Sequence, residues 1–247
     1  MRLTEQIDKE YATLDTRILS EIKEKKPSKE FSAFLSAYKK YLLCCKEENL
    51  DGSSLYSSCR RNADLARSIL FNVSYNQEDI TLLCLKGSEY ANNIQEKTSG
   101  DFFSEAINKD HYQTKTQEPY LIFSEFFKRS LTNVGFENNG AYIKIIGDVG
   151  SNLGFYMHTG KISIIGSCNI FTGDNLKGGE ILIEGNCGDL TGYAMSSGSI
   201  IIEGNSGNNT GSLMRNGSIT VKGNIASLAK IIYGGKIYCK DRQVYQK

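Results

Sequence analysis

Apolar side chains recur at helical spacing through the first part of the chain. They stand three or four positions apart with charged residues between them, so each set lies on one face of a helix. The four faces are Leu3, Ile7, Tyr11, Leu14, Ile18 and Ile22; Phe31, Phe34, Leu35, Tyr38, Leu42 and Cys45; Cys59, Ala63, Ala66, Ile69, Leu70 and Val73; and Ile80, Leu83, Cys84, Tyr90 and Ile94. With weaker helical segments at Phe102–Ile107 and Tyr120–Leu131, the pattern predicts a bundle of four to six helices over residues 1–138.

After residue 138 the pattern changes to a repeat of fixed period. Short segments begin at residues 141, 160, 179, 198 and 217, each 19 apart, and a shortened one begins at Gly235. Residues two apart in a strand share a face, so the third and fifth positions of these segments form one inward stripe. That stripe is Ile143, Ile162, Ile181, Ile200, Ile219 and Ile237, with Ile145, Ile164, Ile183, Ile202, Val221 and Cys239. A second inward stack is predicted from Met157, Leu176, Met195, Met214 and Tyr233.

Glycines mark the corners between the predicted strands. Of the 24 glycines, 20 lie in residues 140–247. Glycine at a corner allows the positive φ and the tight turns that a chain needs after one short strand. We predict nine structural turn glycines, at the seventh position of each repeat (Gly147, Gly166, Gly185, Gly204 and Gly223) and at the fourteenth (Gly154, Gly173, Gly192 and Gly211).

One strand per repeat, with no helix between strands, is typical of a parallel β-solenoid, in which each coil buries its inner face against its neighbours. The six-residue period of a left-handed acyltransferase-type helix is absent. The predicted fold class is therefore α+β with two domains. A helical bundle over residues 1–138 precedes a parallel β-helix of five to six coils over residues 139–247.

The segment Gly179–Met195 and its repeat Gly198–Met214 carry a family resemblance. They resemble the glycine-repeat (GXGXG) domain at the C-terminus of the glutamate synthase large subunit, and they are similar to the glycine-repeat subunit of formylmethanofuran dehydrogenase. The resemblance covers about residues 140–240 and implies a right-handed β-helix that serves as a structural and docking element. The helical first part resembles neither family's other domains. The break at Lys230 and the shortened last coil indicate that this end is capped.

Composition and charge narrow the partner classes. The chain has 247 residues, 40% hydrophobic and 23% charged, which excludes wholesale disorder. Lys and Arg number 29 against 28 Asp and Glu, and a nucleic-acid or membrane-surface protein would show a basic excess. No apolar run reaches the roughly 18 residues of a membrane helix, and the first residues form no apolar signal core. We expect a cytoplasmic protein.

The cysteines provide one candidate constellation. There are seven, no Cys-x-x-Cys occurs, and only two histidines could assist them; a zinc site or a disulfide framework needs better spacing. Cys168 and Cys187 share one column of the repeat, so the pair could cross-link, bind a soft metal or simply stack as buried thiols. The other residues of that column are small or apolar, which favours buried thiols.

Other groupings of polar residues indicate structure rather than chemistry. Asn186, Asn205 and Asn224 form a column that predicts an amide ladder between coils. Glu184 and Glu203 also stack, and we interpret them as a solvated edge, although paired carboxylates can mark acid–base catalysis. Neither His111 nor His158 belongs to a triad or metal motif, and no glycine-rich phosphate loop occurs. The sequence thus predicts no catalytic residue, no metal and no cofactor.

Four apolar residues interrupt the polar outer face of the predicted strands: Ile146, Ile165, Leu182 and Ile201. An exposed sheet face is normally polar, so we predict that part of this face docks the helical bundle and that the rest contacts a protein partner or a second copy. Complete coverage by the bundle in a monomer is the alternative. The expected function is a non-catalytic assembly protein whose solenoid is a rigid interaction platform. The alternatives are an accessory subunit of an oxidoreductase or amidotransferase complex, as the resemblance implies, and a polymer-forming cytoskeletal solenoid like the bactofilins.

Overall fold

A computed structural model of the protein describes residues 28–45, 55–87, 95–127 and 130–247. Its N-terminal part contains four helices, α1 (Lys29–Cys45), α2 (Leu55–Leu70), α3 (Gln77–Gly87) and α4 (Gln95–Thr114). The helices predicted from the second, third and fourth apolar faces are confirmed, and the weak segment at Phe102–Ile107 belongs to the 20-residue α4. The first predicted helix and the positions of Tyr90 and Ile94 lie outside the described residues.

Aromatic side chains fill the space between these helices. Tyr38, Tyr41, Phe102 and Phe103 are fully buried, and Phe102 lies 5.1 Å and 5.2 Å from the ring centroids of the two tyrosines. The Tyr38 hydroxyl lies 2.7 Å from Oγ of Ser99 in α4, so its polar end is satisfied. This cluster fixes α1 against α4.

The segment after α4 corrects one prediction. The predicted helical segment at Tyr120–Leu131 instead begins with strand β1 (Tyr120–Phe123), which a single 3-10 turn at Ser124–Phe126 follows. Four consecutive apolar residues fit a buried strand as well as a helix. The segment is a strand because β1 pairs with β2 in parallel, with Tyr120 opposite Ile143. The sheet therefore begins before residue 139.

The remaining strands form the predicted solenoid. They are β2 (Asn139–Ile146), β3 (Thr159–Ile165), β4 (Glu180–Ile183), β5 (Ser199–Ile202), β6 (Ser218–Val221), β7 (Lys236–Cys239) and β8 (Arg242–Gln246). The eight strands form one sheet in sequence order. Strands β1 to β7 pair in parallel, and partners from β3 to β6 occupy the same position in successive repeats. Each coil takes about 19 residues, and the fold class is confirmed.

The C-terminal end is closed by a hairpin. β8 runs antiparallel to β7, and the two residues that join them, Lys240 and Asp241, both have positive φ. Two such residues form the tight turn whose twist matches that of antiparallel strands. Four of the five residues of β8 are exposed, and its Arg and Gln side chains discourage pairing with another edge.

The inward columns are buried as predicted, with one correction. Met157, Leu176, Met195 and Met214 are fully buried, whereas Tyr233 is 52% exposed. The register slips by one residue between Ile225, which pairs with Ser206, and Leu228, which pairs with Thr210. Ile232 therefore follows Met214 in the stack and packs against the core.

The helical part lies against the N-terminal end of the solenoid. In this junction α4 packs alongside the corner at residues 132–138. Ser104 Oγ of α4 accepts a hydrogen bond from Gly135 N and donates one to Asn133 O. A Cβ at Gly100 would lie 1.8 Å from Thr132 O, so glycine permits this close approach. One hydrophobic cluster runs from Phe31 to Ile237. The two parts of the chain share a core.

Candidate functional site

The outer face of the sheet has one covered end. Ile146 is 3% exposed and packs with Leu85 of α3 and Phe123 of β1. Phe126 lies partly buried beside them. The helical part therefore covers the outer face at its first coil, as the apolar outward positions led us to expect.

Farther along the sheet the other three predicted interface residues remain partly exposed. Leu182 and Ile201 are direct partners in neighbouring strands, and Ile165 lies on β3. We call these three residues the outer patch. Ser163 and Thr220 adjoin it in register, and the ion pair between Lys161 Nζ and Glu180 Oε1, 2.9 Å apart, lies at its edge. The patch is apolar at its centre, and Glu184 and Glu203 follow Leu182 and Ile201 on the same face.

A cleft lies where the helices meet the first coil. This junction cleft has a volume of about 450 Å³, and Phe71 and Tyr112 at its rim are each 76% exposed. Nothing in the sequence indicated it, because its walls come from α2, α4 and the corner at Glu137, which are far apart in the chain.

The basic side chains Arg67 and Lys109 of the junction cleft already have hydrogen-bond partners within the protein. Arg67 donates Nε and Nη2 to the two carboxylate oxygens of Glu105, at 3.0 and 2.8 Å. Lys109 Nζ donates to the carbonyls of Leu70 and Val73, where it satisfies acceptors at the C-terminal end of α2. These contacts fix α2 to α4. We interpret the cleft as a structural junction.

Behind the cleft lies a buried polar cluster centred on Asp101. Asn62 Nδ2 donates to Asp101 Oδ2 at 3.0 Å, and Asn152 Nδ2 donates to Asn133 Oδ1 at 2.8 Å. Asp101 is fully buried and its Oδ1 has no hydrogen-bond partner. Burial raises the pKa of Asp101 to about 8, against the opposing effect of hydrogen bonds from Asn62 and Asn133. A protonated carboxyl is thus favoured there.

Asp101→Asn should reduce the dependence of stability on pH. The folded pKa, about 8, lies above the ordinary value of 3.8, so the folded carboxyl holds a proton that the unfolded one releases. The stability that this carboxyl contributes is fully present below about pH 4 and is lost as pH rises through the folded pKa. Between roughly pH 5 and pH 8 the parent should lose about 3 to 4 kcal/mol more than the variant, measured by urea unfolding. Asp64→Asn on the surface is the control; equal losses in all three proteins would contradict the assignment.

Cys168 and Cys187 meet inside the solenoid. Their Sγ atoms lie 3.2 Å apart, both residues are 6% exposed, and both are free thiols. Within the described ranges, no group of three or more His, Cys, Asp or Glu side chains is placed to hold a metal ion. The arrangement matches the stacked buried thiols that the column favoured.

The amide column at the corner is confirmed as a structural ladder. Asn205 N donates to Asn186 Oδ1 at 2.7 Å, and Asn224 N donates to Asn205 Oδ1 at 2.8 Å. A third step joins Asn186 N to Ser167 Oγ at 3.1 Å. The side chains therefore link successive coils.

The two histidines differ in burial. His111 is buried in α4 with its ring edge-on to Tyr120, at 6.4 Å between centroids, and burial lowers its pKa. His158 is exposed at a corner, where its backbone N–H donates to Asn138 O.

Searches against family models, curated proteins and solved structures find no match for this chain. Among the helices that the structure describes, none is both long enough and apolar enough to cross a membrane.

Proposed function

We propose that the protein is a non-catalytic assembly protein whose solenoid is a rigid interaction platform. The observation that carries this proposal is the outer patch, a partly exposed apolar area on an otherwise polar sheet face. Patches of this kind mark interaction sites when polar residues surround them. The glycine register, which resembles a docking domain, supports the same function.

The solenoid has the stiffness that such a platform requires. Successive coils are joined by the parallel strands and by backbone bonds at the corners, such as Cys187 N to Asn205 O at 2.8 Å. The asparagine ladder adds side-chain bonds between the same coils. The strands that carry the outer patch are therefore hydrogen-bonded to the coils on either side of them.

A second copy of the chain is the partner that suits this patch. The neighbours of the outer patch in register, Ser163 and Thr220, are small, and Lys161 and Glu180 at its edge are paired with each other. Two such faces could pack sheet on sheet at about 10 Å. A two-fold interface needs a patch that is complementary to itself, and the apolar strip of Leu182 and Ile201 meets that condition if the carboxylates of Glu184 and Glu203 stay at its solvated edge.

The association state tests the proposal. We expect the parent to be a dimer by size-exclusion chromatography with light scattering. Leu182→Lys combined with Ile201→Lys should give a folded monomer, because burying two unpaired ammonium groups opposes association. Ser197→Lys with Asn216→Lys is the matched control, since both residues are exposed at the same corner of successive coils. A monomeric parent would overturn the second-copy assignment.

The accessory-subunit alternative rests on the resemblance alone. A tagged chain that captures a defined oxidoreductase or amidotransferase through the outer patch, and loses it on Ile165→Lys, would favour that function. The polymer alternative is less well supported, because β8 and the register slip close the C-terminal end against another coil. A parent that elutes in the void volume would favour it.

A further inference from the structure

The Cys168–Cys187 pair has the backbone geometry of a potential disulfide. The two residues are direct partners in a parallel bridge, and neighbouring strands lie about 4.8 Å apart. This spacing falls within the Cα separation that a disulfide tolerates, about 4.4 to 6.8 Å. Both side chains enter the core from the same column, and their sulfurs already touch at 3.2 Å. Closing the bond requires the two sulfurs to approach by about 1.2 Å, to the usual disulfide length of about 2.05 Å.

The two thiols differ in their chemistry. The hydrogen bond from Cys187 lowers the pKa of Cys168, whereas the same contact and burial raise the pKa of Cys187. The Thr172 hydroxyl lowers the pKa of both thiols, and the Thr191 hydroxyl lowers that of Cys187. Asn169 and Ile170, which follow Cys168, are exposed, whereas Gly188 and Asp189, which follow Cys187, are half-buried. The thiolate is the reactive form of cysteine, so Cys168, on the more open side and with the lowered pKa, is the better nucleophile and Cys187 is placed to react second.

We propose that Cys168 and Cys187 are a peroxide-oxidisable dithiol that closes into a disulfide between two neighbouring coils. The Cys168 thiolate attacks one oxygen of hydrogen peroxide; the O–O bond breaks, a sulfenic acid forms, and the leaving hydroxide takes a proton to become water. The Cys187 thiol then attacks the sulfenic sulfur, and the S–OH bond breaks to release a second water. Two thiols and one peroxide thus give one disulfide and two waters.

The burial of the pair restricts the oxidant to a small molecule. Each cysteine residue is 6% exposed, which leaves no room for a bulky disulfide such as oxidised glutathione. Asn169 and Ile170, directly after Cys168, are exposed at the corner, so the chain beside the pair is open to solvent. Hydrogen peroxide is close to water in size. This modification site is independent of the proposed assembly function.

The experiment uses the full-length protein, pre-reduced and then treated with limiting hydrogen peroxide. After alkylation under denaturing conditions, intact mass and peptide mapping identify the cysteines. We expect a peptide that links Cys168 to Cys187, a mass loss of about 2 Da relative to the dithiol, and full reversal by dithiothreitol. The circular dichroism spectrum should be unchanged.

Three variants separate the assigned roles. Cys187→Ser should stop at a sulfenic acid on Cys168 that a dimedone probe captures. Cys168→Ser should leave Cys187 reduced at the same peroxide dose. Serine suits both places because Ser206 occupies the same column and is buried. Cys84→Ser, which removes a buried thiol outside the pair, should form the Cys168–Cys187 link as the parent does.

Three results would overturn the proposal. The first is a folded parent in which peroxide modifies all cysteines at similar rates and yields no linked peptide. The second is a link that appears only after the chain is unfolded. The third is dimedone labelling of Cys187 in the Cys168→Ser variant at the rate seen for Cys168, which would remove the assigned order of attack.

Discussion

Ile200→Asp is expected to destabilise the folded chain by about 5 kcal/mol, because it places an unpaired charge among buried aliphatic side chains. Ile200 has no exposed surface, and Ile181 and Ile219 are its partners in the strands on either side. A loss of this size removes much of the stability of a typical domain, about 5 to 15 kcal/mol. Urea unfolding followed by circular dichroism measures it.

The next residue provides the control. Ile201 lies on the same strand with its side chain on the outer face, where it is partly exposed. At protein concentrations at which the chain is monomeric, Ile201→Asp should cost about 1 kcal/mol, since water then reaches the carboxylate. If the two variants unfold at the same urea concentration, the assignment of inward and outward faces is wrong.

Gly173→Ala should cost about 3 kcal/mol. The residue has a φ of +67°, which disfavours any side chain, and an added Cβ would lie 2.5 Å from Ile200 Cδ1. The backbone conformation and the collision both oppose the substitution. Urea unfolding of the single variant gives the sum of the two effects.

Ile200→Val separates the two contributions. Valine lacks the Cδ1 atom that the new methyl group would meet, so in this background Gly173→Ala should cost only the backbone part, about 1 kcal/mol. The comparison is a double-mutant cycle, and the difference between backgrounds is the energy of the collision. An identical cost in both backgrounds would mean that the glycine is required for its φ alone.

The solenoid was predictable because its physical requirement repeats. Each strand must present an aliphatic side chain, such as Ile181 or Ile200, to the same column, and Gly173 or Gly192 must leave room for the isoleucine of a later coil. A constraint that recurs in every coil can be recognised from a single sequence. The helices could be predicted for the same reason, because their apolar residues recur at helical spacing.

The features that were missed depend on single events or on distant contacts. Strand β1 has no repeat partner in sequence, and only its pairing with β2 distinguishes it from a helix. Tyr233 was placed one position too far because the early start of the last repeat at Gly235 shows that one residue is missing but not where, and the structure puts the slip between Ile225 and Leu228. The junction cleft and the unpaired Asp101 oxygen arise where α2, α4 and the corner meet, which no local pattern encodes.

Other missed features lie in the backbone itself. In the coils with a glycine at the fourteenth position, two non-glycine residues adopt positive φ, one on each side of that glycine: for example Phe171 and Asn175 around Gly173. Several of these residues are asparagines, which favour this conformation, but phenylalanine, leucine and tyrosine also occur there and carry no turn signal. The stacked coils impose the conformation, because the backbone bonds between them, such as Phe171 N to Asp189 O at 3.0 Å, leave no alternative.

The register slip near Leu228 has a consequence for how such a chain can change in length over evolution. Between β3 and β6 the paired residues keep the spacing of one repeat, so a coil added there in register would bring a complete repeat. At the two ends the spacing changes: the first coil, from Tyr120 to Ile143, is longer and the register shifts between Asn139 and Tyr142, while β7 and β8 follow the slip near Leu228. Growth by complete coils thus suits the middle of the sheet, and gains or losses of a few residues suit its ends.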